Sequence, residues 1–205
     1  MRGDEVLPRR GRTGGAPGTS GARARREKVL AAAEALIADG AFGEATVTEP
    51  AARAGVARAT VFGRFGSKLG VLEALSVRRA GGPEMRALRE AFAPEDPREA
   101  LRAVVAAACE LWERQGHILL TLKAVAQLEP GAVELIREQR EDQRSSLTAL
   151  AERLPLREDL TRPVVVATLH AVTSVEAFVE MRTHGGTSLD ATRTTLTRLA
   201  ETVLR

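Results

Sequence analysis

Few residues in this chain have the types and spacing for catalysis. His117, His170 and His184 lie far apart, without the i, i+4 or paired spacing that metal ligands need, so no metal and no cofactor is expected. His170 and Ser174 stand four apart on one expected helix with Glu176 near. A nucleophile and its base must instead converge from separate elements on an oxyanion site, so these read as a structural histidine and an ordinary polar residue. There is no phosphate loop, no Gly-x-Gly-x-x-Gly and no Cys-x-x-Cys. Cys109, beside Trp112, reads as a buried inert thiol, with a redox or ligand contact as the other reading. The chemistry that the spacing does support is binding. Arg58, Ala59, Phe62 and Arg64 share the outer face of one short helix, and Lys68 stands in the first turn of the next. A cation at a helix N-terminus suits a phosphate, and an exposed helical face with two arginines suits base edges in a major groove.

The elements around these residues are punctuated by local signals. Thr46 precedes Glu49 by three, a capping box that opens a short helix. Val47, Ala51 and Ala54 repeat at i, i+4 and i+7 with small side chains, and Gly55 ends that helix in a left-handed conformation. Val56 plugs the turn, and Thr60 and Val61 lead into a second helix closed at its base by Phe65. Gly66 breaks it, and Ser67 caps the third. Two short helices joined at Gly55 read as a helix-turn-helix.

The run resembles the TetR family of transcriptional regulators over about residues 23–75. Ala54-Gly55-Val56, Thr60, Phe65 and Ser67-Lys68 occupy the family's positions, as does the preceding helix, about 23–39, with its Gly40-Ala41-Phe42 end. The resemblance implies phosphate contact from Thr46 or Thr48 and from Lys68. It implies base or backbone contact from Arg58, Ala59, Thr60, Phe62 and Arg64. The chain departs from the family pattern at several places. Pro50 stands where Ile is usual, removes one amide donor and shifts the helix start toward Thr48. Phe62 replaces Tyr in a chain without tyrosine, Arg64 replaces His, and Ala57 replaces a capping Ser. The missing cap costs about 1 kcal/mol, and Gly63 loosens the same helix by roughly as much. The bland alternative is an αα-hairpin in an all-helical protein, which does not need Thr46, Gly55, Val56, Phe65 and Lys68 together.

Composition agrees with an all-α chain. At 205 residues it can bury a sizeable core, and with only five Phe and one Trp that core must be built from Leu, Val and Ala. Charge is uneven: through Lys68 there are twelve basic residues against seven acidic ones, a balance of +5, which leaves −2 for the remainder of a chain whose total is +3. The basic part is the one that holds the helix-turn-helix, as counterion release at a duplex requires. A lone cysteine fits a reducing compartment, and the sequence offers no apolar run of membrane-spanning length and no hydrophobic signal core. The expected location is the cytoplasm.

Three divisions are expected: a basic, Gly- and Pro-rich arm over 1–21, a DNA-binding unit over 22–68, and a helical regulatory and dimerisation part over 69–205. The arm either enters the minor groove or is a solvated tail. Gly81-Gly82-Pro83 interrupts the helix that follows Lys68, either as a hinge or as a simple helix end. A stripe of Leu101, Val104, Val105, Ala108, Leu111 and Trp112 predicts a helix ending at Gly116; Ile118, Leu119, Leu122 and Val125 predict another stopping at Pro130. A long helix over about 131–153 has Val133, Ile136, Leu147, Leu150 and Leu154 on one seam, with Arg140 and Gln143 interrupting it. Two last helices are expected over about 159–183 and 188–204.

Trp112, Leu119, Leu122, Gln143 and Phe178 are the expected lining of a pocket for a small, largely apolar effector; each also reads as core, or for Gln143 as surface. Ala167, Ala171, Val175 and Val179, with Leu189, Leu196, Leu199 and Val203, form two narrow stripes. Paired across a two-fold axis they would make a four-helix bundle, and the resemblance implies that the last two helices form a homodimer interface. The whole reads as a non-enzymatic, ligand-responsive regulator, a repressor that acts as a homodimer on a near-palindromic operator in double-stranded DNA. Its rivals are a regulator without a small-molecule effector and a helical enzyme or carrier with a vestigial reader.

Overall fold

The computed structural model describes residues 18–46, 48–128 and 132–205. The arm before Gly18, Val47 and Pro130, and the side chains of His117, Val125 and Ile136, lie outside the described residues. Among the described residues the chain forms ten α-helices and no strand. They are α1 (Gly18–Ala38), α2 (Thr48–Ala54), α3 (Arg58–Phe65), α4 (Lys68–Ala80), α5 (Pro83–Glu90), α6 (Pro97–Leu128), α7 (Ala132–Arg153), α8 (Arg162–Val172), α9 (Val175–Val179) and α10 (Leu189–Glu201). A π-helical turn, Glu180–His184, extends α9. Gly18 to Gly21, expected in the arm, form the first turn of α1.

Two cores organise these helices. The first joins Val29, Leu30, Ala33, Leu36 and Ile37 of α1 to Phe42, Ala51, Val61, Val71, Leu72 and Leu75, and reaches Leu122 of α6. The second joins Leu101, Val104, Val105 and Cys109 of α6 to Leu147, Leu150 and Leu154 of α7, Val165, Val166 and Leu169 of α8, Phe178, and Leu196 and Ala200 of α10. Both are mainly aliphatic, with one buried Phe each, as the shortage of aromatics requires. Helix α6 takes part in each, so the long helix is the spine on which both halves are built.

Two expected helix boundaries are corrected. Gly116 does not end a helix: α6 runs through it for 32 residues. A Cβ there would stand 3.4 Å from Val175 Cγ2 and 3.8 Å from Val179 Cγ2, so the glycine makes room for α9 instead of stopping α6. The single helix expected over 159–183 is broken at Thr173, and the two parts bend by 46°. Ser174 caps the second part, its hydroxyl accepting from the Ala177 amide at 3.1 Å, while the Thr173 hydroxyl donates to Leu169 O at 2.7 Å. The carbonyl of Thr173, freed at the break, accepts from Trp112 Nε1 at 2.9 Å.

The Gly81-Gly82-Pro83 segment is a tight turn. Helix α4 ends at Ala80, Gly82 occupies the N-cap of α5 in extended conformation, and Pro83 sits at the first helical position, where its missing amide costs nothing. Among the described residues no single helix is long and apolar enough to cross a membrane. Only the bent α8–α9 pair has the length and composition, and its Val165, Val166, Leu169, Val175 and Phe178 are buried in the second core.

Candidate nucleic-acid interface

The helix-turn-helix unit is assembled from α2, α3 and α4 against α1. Pro50 lies at the third position of α2, within the first turn, whose amides have no intrahelical acceptor in any helix, and its ring is buried with Ala51. The proline thus replaces a core side chain at little backbone cost, and α2 begins at Thr48. Half of the expected capping box forms: Glu49 Oε2 accepts from the Thr46 amide at 2.9 Å. The Thr46 hydroxyl bonds the Thr48 hydroxyl instead of the Glu49 amide, whose acceptor is the Thr46 carbonyl at 3.1 Å.

The turn is a Schellman motif. Gly55 takes φ +63°, its amide donates to Ala52 O at 3.2 Å, and the Val56 amide donates to Ala51 O at 3.0 Å. Helix α3 then starts without a side-chain cap, because Ala57 has no acceptor to offer. Val61 is fully buried and Phe65 packs on the first core, so the opposite flank faces outward. Arg58, Ala59, Phe62, Gly63 and Arg64 are exposed, and Thr60 is half-buried. The Arg58 guanidinium lies over the Phe62 ring, 5.1 Å from its centre.

Gly66 turns the chain out of α3, its amide donating to Phe62 O at 2.8 Å. Ser67 caps α4 by accepting from the Gly70 amide at 3.0 Å. Gly70 is a residue whose importance the sequence did not signal: a Cβ there would lie 1.9 Å from the Phe65 carbonyl oxygen. Only a bare backbone lets α4 start that close to the end of α3. Lys68 Nζ donates to Gly43 O at 2.7 Å and lies 5.4 Å from the centre of the Phe42 ring. Its ammonium therefore ties the start of α4 to the loop after α1.

A polar relay joins this unit to the C-terminal half, and nothing in the sequence pattern marked it. Arg79, at the end of α4 with a side chain only 10% exposed, donates to Glu34 of α1 at 3.3 Å and to Gln115 Oε1 of α6 at 2.7 Å. Gln115 in turn donates to Glu84 of α5 at 2.9 Å. Arg78 pairs with Glu34 and, at 3.3 Å, with Glu27. Burial lowers the Arg79 pKa from its usual value, against the raising effect of Glu34.

Of the residues expected to line an effector pocket, three are divided between the two cores. Phe178 is 3% exposed in the second core, with Trp112 packed against it and committed to Thr173 O. Leu122 belongs to the first. Leu119 and Gln143 are half-buried. Two clefts open elsewhere on α7, one walled by Glu141, Arg144, Ser145 and Thr148, the other by Arg89, Phe92, Ser146 and Arg153. His170 has a buried Nδ1 without a hydrogen-bond partner among the described residues. Burial lowers its pKa, and Arg140 and Lys123 act in the same direction. Burial also raises the Cys109 thiol to about 11, which leaves it protonated and unreactive. Among the described residues no group of His, Cys, Asp or Glu gathers in a metal-binding arrangement.

The expected interface stripes also divide. Val175, Leu196 and Val203 are at most 3% exposed in the chain's own core and have no surface left for a partner. Val179 and Leu189 are half-buried. Ala167 and Ala171 face outward with Val164, which the sequence reading omitted, and Leu199 is exposed on the neighbouring α10.

Residues 29–75 match the sequence model described as bacterial regulatory proteins of the tetR family. No curated protein matches the chain by sequence. Solved structures do match in fold. A transcriptional regulator from Rhodococcus sp. RHA1 superposes with a TM-score of 0.71 at 22% identity, over 87% of this chain and 95% of that one. The ketosteroid transcriptional regulator KstR2 of Mycobacterium tuberculosis gives 0.66 at 20%, over 88% and 95%. The regulator FadR of Bacillus subtilis, in complex with stearoyl-CoA, gives 0.70 at 16%, over 87% and 99%. Residues 29–75 thus carry the sequence pattern of the tetR family of bacterial regulatory proteins, and the chain shares the helical fold of these solved structures.

Proposed function

We propose that the chain is a ligand-responsive repressor that binds a near-palindromic operator as a homodimer. Residues 22–68 act as the reader, residues 69–205 as the regulatory and dimerisation part, and the cytoplasm is the place of action. The observation that carries this reading is the division of α3: Val61 is fully buried, while Arg58, Ala59, Phe62 and Arg64 are exposed together. In this reading that flank enters the major groove with Thr60 at its edge, and Thr46, Thr48 and Lys68 meet phosphates. Lys68→Ala is expected to weaken binding to every sequence and to flatten its salt dependence, whereas Arg58→Ala relaxes preference at particular base pairs. Equal binding of both variants and the parent in a titration of duplex DNA would contradict the docking.

Dimerisation is assigned to the outward face of α8 and α10, with Val164, Ala167, Ala171 and Leu199 at its centre. Val164 and Leu199 are 49% and 46% exposed, large apolar side chains that a partner copy would cover. Leu199→Arg is expected to give a monomer in sedimentation. An unchanged dimer would move the interface elsewhere.

The regulatory half senses by binding and not by catalysis. A small, largely apolar molecule held beside α6 and α7, near the half-buried Leu119 and Gln143, would favour a spacing of the two readers that no longer fits DNA. Stearoyl-CoA and triclosan, present in complexes of two structurally similar proteins, are the first probes. Release of DNA by either supports this assignment, and a panel of apolar ligands without effect favours regulation by protein contact or abundance.

A further inference from the structure

Phe62 is 41% exposed and is the one exposed aromatic side chain among the described residues. The guanidinium carbon of Arg58 lies 5.1 Å from the centre of its ring. The two are four residues apart, neighbours on one helical face, so their stacking is set by the helix itself. Ala59, also exposed, stands three residues before Phe62, and Gly63 adds no side chain. The middle of the flank is therefore apolar, with Arg58 and Arg64 as cationic ends. A phenyl ring has nothing to offer a phosphate oxygen. Among the groups that base edges present in a major groove, the C5 methyl of thymine is the apolar one, whereas the guanidinium fork matches O6 and N7 of guanine.

Resting on the DNA-binding reading above, we infer that Arg58 and Phe62 act as one stacked unit that reads a guanine and a thymine within each half-site. Phe62 covers the thymine methyl, and its ring face holds the Arg58 guanidinium in the orientation that reaches guanine. The stack also fixes the spacing of the two bases. Base pairs follow one another at about 3.4 Å, and 5.1 Å lies between one such step and two. The guanine and the thymine are thus in adjacent base pairs or one pair apart.

The test uses the full chain and duplexes that it selects from a random pool. Each thymine of the selected half-site is replaced in turn by deoxyuridine, which removes only the methyl, and each guanine by 7-deazaguanine, which removes only the N7 acceptor. At one thymine per half-site the loss of the methyl is expected to weaken binding about fourfold, the worth of one buried methyl group. That penalty disappears in Phe62→Ala. At a guanine within two base pairs of it, loss of N7 is expected to weaken binding about tenfold; this penalty disappears in Arg58→Ala and shrinks in Phe62→Ala, where the stack is gone. Indifference to every thymine methyl, or a methyl penalty that survives Phe62→Ala, overturns the inference and leaves the DNA-binding reading standing. Failure of the parent chain to enrich any sequence at low salt overturns both. The base analogues alter only the DNA, so the parent chain alone decides whether a methyl is read.

Discussion

The Arg79 guanidinium donates at 2.7 Å to the Gln115 side-chain oxygen, and this bond joins α4, which closes the helix-turn-helix unit, to α6, the long helix that takes part in both cores. Gln115 passes the connection to Glu84 on α5, and Glu34 receives Arg79 from the side of α1. Four helices therefore meet at one buried cation. Its Nε has no hydrogen-bond partner among the described residues, so the guanidinium depends on the acceptors it does have. A shift of α6 that moves Gln115 must be answered by α4, because a buried charge does not tolerate a lost acceptor.

Gln115→Leu is expected to destabilise the chain by roughly 1–3 kcal/mol, since it leaves one Arg79 donor without its acceptor. Urea denaturation checks this. An unchanged midpoint would mean that water or a neighbouring carboxylate replaces the amide freely.

Gly70→Ala is expected to lower stability by about 1–3 kcal/mol and DNA affinity with it, because the added methyl meets the Phe65 carbonyl oxygen and the start of α4 must move away from α3. Thermal melting and a binding titration on one preparation read both effects. Gly63→Ala is the control: open space surrounds that glycine, and the substitution should stabilise α3 by up to about 1 kcal/mol.

Ala57→Ser restores the side-chain acceptor that α3 lacks at its N-cap. The expected gain is about 1 kcal/mol, seen as a higher melting temperature and slower amide exchange in the first turn of α3. Loss of stability would mean that the extended backbone at Ala57 does not present the serine hydroxyl to the helix.

His170 confers a pH dependence of definite sign. Burial lowers its folded-state pKa, Arg140, Lys123 and Arg144 reinforce the effect, and Glu176 opposes it. The unfolded state thus binds the proton more readily. Stability held at neutral pH is lost as pH falls below the ordinary histidine value of about 6.5 toward the lower folded-state value. His170→Gln, which takes up no proton, should lose less stability than the parent between pH 7 and pH 5 in parallel urea titrations. Identical slopes would exclude His170 as the source.

The parts of this fold that were legible in the sequence are those set by local chemistry. The left-handed turn at Gly55, the break at Gly66 and the cap at Ser67 each follow from one residue and its immediate neighbours. The parts that were not legible depend on what packs from a distance. Gly116 carries the same signal as a helix stop, and only the approach of Val175 and Val179 makes it a packing site within α6. Helix α8 is apolar on both flanks: Val165, Val166 and Leu169 are buried while Val164, Ala167 and Ala171 are exposed. Periodicity alone therefore could not choose its outward face. The break at Thr173 depends on Trp112, 61 residues earlier in the chain, to satisfy the carbonyl it exposes. Trp112 and Phe178, expected to line a pocket, likewise pack on the second core.

The most direct test of the account is a footprint of the full chain on duplexes selected from a random pool, repeated at rising salt. The account predicts two protected half-sites related by a two-fold axis and spaced by about one helical turn or a multiple of it. It also predicts an affinity that falls linearly with salt on logarithmic axes, with a shallower slope for Lys68→Ala. Absence of any protection at low salt, or protection unaltered when Arg58, Phe62 and Arg64 are replaced together by alanine, would contradict the central claim that the exposed flank of α3 reads DNA.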